Sequence, residues 1–90
     1  MAKIDKAAAL ALLRAANPTT PLGDLTVYAE AFVEYSEAAE NIAANGTIVG
    51  HPRSGAPIEN PFCAVRSRAS KTMQGCRVKR TDSLWRAAAK

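Results

Sequence analysis

Apolar residues recur at helical spacing in three stretches of the chain, and these stretches predict three helices. The first covers residues 5–16 and ends before Pro18, because proline disfavours a helical conformation in the residue that precedes it. The second begins with Thr20 as N-cap and Pro21 in its first turn, and Gly46 ends it in a left-handed conformation. The pattern therefore predicts a short N-terminal helix followed by a much longer one.

The apolar spacing changes after Gly46. Two short β-prone runs, residues 47–49 and 56–58, flank a polar turn and predict a small hairpin or an extended loop. Asn60 followed by Pro61 is a strong start for a third helix. The expected fold is thus mainly α-helical: two long antiparallel helices joined by a short β-hairpin-like loop, with the short N-terminal helix in front.

The second helix carries a heptad seam of apolar residues, small residues flank the seam, and Val27 and Val33 add apolar surface beyond it. More than one neighbour is therefore expected to pack on this helix. We expect a homo-oligomer whose contacts between copies centre on the seam residues Leu25, Tyr28, Phe32, Tyr35 and Ile42. The alternative is an ordinary amphipathic helix inside a monomer.

The composition also favours self-association. Ninety residues allow one domain, and 19 of the 43 apolar residues are alanines, which bury little surface. Disulfides and metals do not compensate, because Cys63 and Cys76 lie too far apart on one helix to bridge, and with His51 they lack the spacing of metal ligands. No cofactor is expected. No apolar run is long enough for a membrane, so we expect a cytosolic protein.

Charge is distributed unevenly along the chain. Residues 22–45 contain five acidic residues and no basic one, whereas residues 61–90 contain eight basic residues and Asp82 as their acidic residue. Two compatible interpretations follow: ion pairs across the helical pair or a subunit boundary, or a surface that attracts a polyanion. Arg68 and Lys71 point away from the apolar face of the third helix, so they are the better candidates for contact with nucleic acid.

The apolar periodicity stops after Gly75. We therefore divide the chain into an N-terminal helix with its joint (1–21), a helical core (22–76) and a basic tail (77–90). The tail contains a basic cluster followed by two large apolar residues: Arg77, Lys79 and Arg80, then Leu84 and Trp85. We predict that the tail is separable from the core and serves a partner. The alternative is that Leu84 and Trp85 fold back and complete the core.

No catalytic arrangement is present in the sequence, and we expect a protein that is not an enzyme. His51 has no Ser or Cys partner at a recognisable spacing, and no Gly-rich loop is suited to holding a phosphate. The joint at residues 17–21 is weak as a helix-turn-helix, because the helix that follows it is acidic and unsuited to the major groove.

Residues 28–46 form an aromatic and acidic segment that ends in Asn-Gly. It is followed by a short β loop, by the Asn60-Pro61 helix start and by a basic tail that ends near Trp85. This order of parts resembles the terminase small subunits of tailed phages and prophages. The resemblance implies that the helical pair builds a ring-forming oligomer in the host cell. It also implies that the ring binds double-stranded viral DNA and delivers it to the terminase large subunit, which holds the ATPase and the nuclease.

Many such subunits carry a separate helix-turn-helix before the helical core. Here only about twenty residues precede the core, and no separate helix-turn-helix fits there. DNA contact is therefore expected from basic residues elsewhere: Arg68, Lys71, Arg77, Lys79, Arg80 and Arg53, or Lys3, Lys6 and Arg14 arrayed around an oligomer. Two other functions stay open, namely a small helical regulator that binds nucleic acid and an assembly scaffold that touches no DNA.

Overall fold

A computed structural model describes residues 4–89 as four helices and one β-hairpin. The elements are α1 (Lys6–Ala16), α2 (Leu22–Asn45), β1 (Ile48–Gly50), β2 (Pro57–Glu59), α3 (Phe62–Gly75) and α4 (Asp82–Ala89). The helices α2 and α3 form the main packed pair, α1 packs on α2, and α4 packs on α1. The molecule is elongated, 51 × 25 × 17 Å. The predicted mainly helical fold with a hairpin between two long helices is confirmed, while the ring stays a prediction.

The helix starts combine predicted and unpredicted features. The Asp5 carboxylate accepts a hydrogen bond from the Ala8 N–H at 2.8 Å and caps α1, which satisfies one of the free donors of the first turn. The predicted N-cap at Thr20 is wrong. Pro21 holds that position without a side-chain hydrogen bond, and its carbonyl accepts from the N–H groups of Asp24 and Leu25.

Gly46 and Asn60 together fix the joint between α2 and the hairpin. Gly46 has φ 84°, a conformation that favours glycine, and its N–H bonds to the carbonyl of Ile42 at 2.7 Å. Asn60 is 2% exposed and donates through Nδ2 to Asn41 Oδ1 and to the Gly46 carbonyl, both at 2.9 Å. Its Oδ1 accepts from the Phe62 N–H at 3.0 Å at the start of α3.

Asn60→Ala is expected to lower the free energy of unfolding by about 2 kcal/mol, because a buried amide that satisfies three polar groups is lost. Chemical denaturation of wild type and variant measures this difference. Asn45→Ala is the matched control, since Asn45 is exposed and exposed substitutions change stability by about 0.5 kcal/mol or less. Equal stability of Asn60→Ala and wild type would contradict this role for the joint.

The two strands pair antiparallel, with Val49 opposite Ile58. This pairing confirms the predicted hairpin. An isolated two-stranded hairpin is marginal in water, but this one is anchored at its base, where the Asn60 N–H donates to the Thr47 carbonyl at 2.7 Å. The hairpin thus holds α2 and α3 antiparallel and places the turn at one end of the molecule.

The heptad seam of α2 is buried within one chain. Its members Leu25, Tyr28, Phe32 and Ile42 are at most 8% exposed, and Tyr35 is half-buried. Leu25, Tyr28 and Phe32 belong to a core that residues of α1, α3 and α4 complete. The same chain therefore supplies helices that pack on the seam. This is the arrangement expected for an amphipathic helix inside a monomer. A contact between copies needs residues that remain exposed.

Helix α4 was not predicted from the sequence. Its Leu84 is completely buried in the main core, and the Trp85 ring lies edge-on to Phe32, with ring centroids 4.7 Å apart. The structure thus has the fold-back arrangement of Leu84 and Trp85. This arrangement is the alternative to a separable tail.

Candidate nucleic-acid interface

The basic residues proposed for nucleic-acid contact are all exposed. Arg68 and Lys71 lie on α3, Arg53 lies in the turn of the hairpin, and the remaining cluster lies between α3 and α4. That cluster consists of Arg77, Lys79 and Arg80. Of the N-terminal candidates, Lys6 and Arg14 are exposed on α1, and Lys3 lies outside the described residues.

Asn17 connects the basic cluster to the end of α1. Its Nδ2 donates to the carbonyls of Leu13 at 3.0 Å and Arg80 at 2.9 Å, and its Oδ1 accepts from the Arg80 N–H at 3.1 Å. Asn17 is 7% exposed, so its two bonds to Arg80 are partly shielded from water. These bonds hold the segment between α3 and α4 at the end of α1, although 63 residues separate Asn17 from Arg80 in sequence.

The hairpin turn is ordered by His51. Its Nδ1 accepts from the N–H groups of Arg53 at 3.1 Å and Ser54 at 3.4 Å, and its backbone carbonyl accepts from Gly55 at 2.8 Å. His51 therefore shapes the loop that carries Arg53. The turn and the basic cluster lie at opposite ends of α3, which has 14 residues and a rise of about 20 Å.

The cations of α3 are not neutralised by α2. Within residues 4–89, the structure has one ion pair, between Lys6 Nζ and Glu30 Oε1 at 2.6 Å, and both side chains are about half exposed. Arg68 and Lys71 make no ion pair inside this part of the chain. Ion pairing across the helical hairpin is therefore not observed here, and the basic surface is available to a polyanion or to another subunit.

A comparison with known protein families shows to which family this small helical protein belongs. The family described as phage terminase, small subunit, matches residues 8–79, well over half of the chain. The chain belongs to the phage terminase small-subunit family. The resemblance stated from the sequence is therefore confirmed. A search of curated proteins and a search of solved structures each gave no significant match.

The matched region of this terminase small subunit extends from α1 to Lys79 in the basic cluster. It includes the three basic residues of α3 and the turn residue Arg53. Helix α4 follows the matched region. The family thus covers the helical core and most of the proposed DNA contacts, while Arg80 and the helix that completes the core lie beyond the match.

The described part of the terminase small subunit contains no group of three or more metal-ligating side chains. None of its helices is both long enough and apolar enough to cross a membrane. Burial raises the pKa of the Cys76 thiol, and the nearby Asp24 carboxylate adds to this increase. The thiol donates to the Thr72 carbonyl at 3.2 Å. Cys76 is therefore held as a protonated thiol and is a poor nucleophile.

The structure also reveals a groove that the sequence did not predict. It runs along α3 beside Tyr35 of α2, in two sections of about 410 Å³ each, and Trp85 of α4 lines one of them. The two sections meet at Tyr35, Ser70 and Gln74. Helical spacing alone could not reveal this groove, because residues of α2, of α3 and of the segment that ends in Trp85 line it together.

Proposed function

We propose that this terminase small subunit is a non-catalytic, DNA-binding adaptor that delivers viral DNA to the large subunit for genome packaging in the host cytoplasm. Membership of the family over residues 8–79 is the observation that carries this proposal. The exposed cations of α3, of the hairpin turn and of the segment after α3 support DNA contact. The ATPase and nuclease activities are assigned to the large subunit.

The proposed contact with duplex DNA is made mainly to phosphates. The exposed cations are spread along an elongated molecule rather than grouped on one helix that could enter the major groove. The longest helix, α2, exposes Glu30, Glu34 and Glu37, which repel phosphates. Binding of this kind has little sequence preference and depends strongly on salt.

Duplex binding is tested by fluorescence anisotropy of two unrelated labelled duplexes across a range of salt concentrations. Affinity for both is expected to fall linearly on logarithmic axes, with a slope of about −0.9 for each phosphate contacted. Arg68→Ala with Lys71→Ala is expected to weaken both duplexes by a similar factor. Affinity that barely changes between low and moderate salt would rule out the phosphate-dominated contact.

Contact between copies is proposed to involve exposed apolar residues rather than the buried seam. Val27 is 46% exposed on α2 although it is a large apolar residue. Light scattering at micromolar concentration is expected to give the mass of an oligomer for the wild-type protein. Val27→Glu is expected to reduce that mass, whereas Val27→Ile preserves it. A wild-type monomer under these conditions would rule out the proposed ring.

A further inference from the structure

The two sections of the groove along α3 differ in chemistry. The first section is lined by side chains that donate hydrogen bonds or carry positive charge: Cys63, Arg66, Ser67, Ser70, Lys71 and Gln74, beside Tyr35. Among the described residues, no carboxylate lines either section. A surface of donors and cations without acidic residues is suited to an anion such as a phosphate diester.

The second section is aromatic. Tyr28, Tyr35 and Trp85 line it, together with Met73 and Val78. The Trp85 ring stands nearly perpendicular to Tyr35, with centroids 5.7 Å apart, and its Nε1–H donates to the Tyr28 hydroxyl at 3.3 Å. These contacts fix the orientation of the indole, yet Trp85 remains 39% exposed. A fixed and partly exposed indole offers a surface on which a planar base can stack.

The two sections adjoin, because they share three lining residues, and together they form a path along the helix. The path follows α3 from Cys63 to Cys76, a rise of about 20 Å. Cations lie along one part of this path and aromatic rings along the other. Proteins that bind single strands combine these same two features, a basic track for the backbone and aromatic side chains for the bases.

We infer that this groove binds single-stranded nucleic acid, with backbone phosphates at Arg66 and Lys71 and a base against Trp85. The inference rests on the proposed function, in which this protein binds nucleic acid. The bases of a duplex are stacked inside the helix and cannot reach Trp85, so a duplex leaves the aromatic section without a stacked base. An acidic peptide would satisfy the cations but makes no use of a stacking surface.

Trp85 reports directly on the inference, because it is the single tryptophan of the chain. The full chain is titrated with an oligothymidylate of about 10 nucleotides, with a duplex, with heparin and with a poly-glutamate peptide. Oligothymidylate is expected to quench Trp85 emission with a saturating curve. The duplex, heparin and poly-glutamate are expected to leave the emission nearly unchanged even where anisotropy shows that they bind.

The variant Arg66→Gln/Lys71→Gln removes the cations of the groove without touching the aromatic section. It is expected to weaken binding of oligothymidylate roughly tenfold at low salt and to reduce the salt slope by about 1.4, since each phosphate of a single strand contributes about 0.7. Arg86→Gln is the matched control, because Arg86 is exposed on α4 beside Trp85 in sequence but does not line the groove. Its affinity for oligothymidylate should equal that of the wild type.

The outcomes separate the inference from the proposed function. Duplex binding without quenching by oligothymidylate would overturn the groove assignment and leave the adaptor function standing. Equal quenching by heparin or poly-glutamate would also overturn it, because stacking of a base would not be involved. Loss of duplex binding with retained quenching would overturn the duplex contact while supporting the groove.

Discussion

Deletion of residues 77–90 is expected to abolish cooperative unfolding of the remaining chain. The deletion removes Leu84, which is completely buried, and uncovers Phe32, which is also completely buried and lies against Trp85. It also removes both backbone groups of Arg80 that bond to Asn17. Full burial of one large apolar side chain contributes about 1.5–3 kcal/mol, so these losses together are comparable with the whole stability of a small domain.

Leu84→Ala isolates the apolar part of this effect. It is expected to reduce the free energy of unfolding by about 2–5 kcal/mol through the cavity that it leaves. Ser83→Ala, an exposed neighbour on α4, is the matched control and should change stability by about 0.5 kcal/mol or less. Circular dichroism during thermal and chemical denaturation measures the three variants and the wild type. A truncated chain that unfolds as cooperatively as the wild type would instead show that the tail is separable.

Replacing Arg77, Lys79 and Arg80 together with Gln is expected to cause the largest loss of DNA binding. If each contacts one phosphate, the salt slope for duplex DNA falls by about 2.7, and affinity at 0.1 M salt falls on the order of a hundredfold. The fold should be retained, because all three side chains are exposed. The bonds between Arg80 and Asn17 use only the backbone of Arg80, so the segment keeps its position.

The control for this variant is Arg86→Gln, which removes an exposed cation of α4 and should lower duplex affinity far less than any one of the three substitutions. Thermal unfolding of the triple variant should match the wild type within a few degrees, because surface substitutions change stability little. If the triple variant bound DNA with the same affinity and the same salt slope as the wild type, this segment would not be part of the interface.

The local features of the fold were predictable because short-range chemistry determines them. Gly46 ends α2 through its left-handed conformation, and Asn60 starts α3 through a bond to the Phe62 N–H. The N-cap of α2 was mispredicted at Thr20. Pro21 holds that position, and its backbone carbonyl accepts from N–H groups of the first turn without any side-chain hydrogen bond. Such errors shift a helix boundary by one residue and leave the order of elements unchanged.

Features that depend on distant contacts were not predictable in the same way. The seam of α2 shows that helices pack on Leu25 and Phe32, but apolar spacing does not reveal whether those helices belong to the same chain or to another copy. Helix α4 has eight residues, which is too short to form by local propensity alone. It is held by burial of Leu84 in a core built by other helices, and the groove beside it is equally non-local.

The adaptor function is tested most directly by capture of duplex DNA on an immobilised large packaging subunit, with and without this protein. The wild-type protein is expected to increase the DNA retained, and the Arg77, Lys79 and Arg80 triple variant is expected to do so much less at the same salt concentration. A regulator of gene expression or an assembly scaffold would leave the captured DNA unchanged. Equal capture of DNA with and without the wild-type protein would contradict the account.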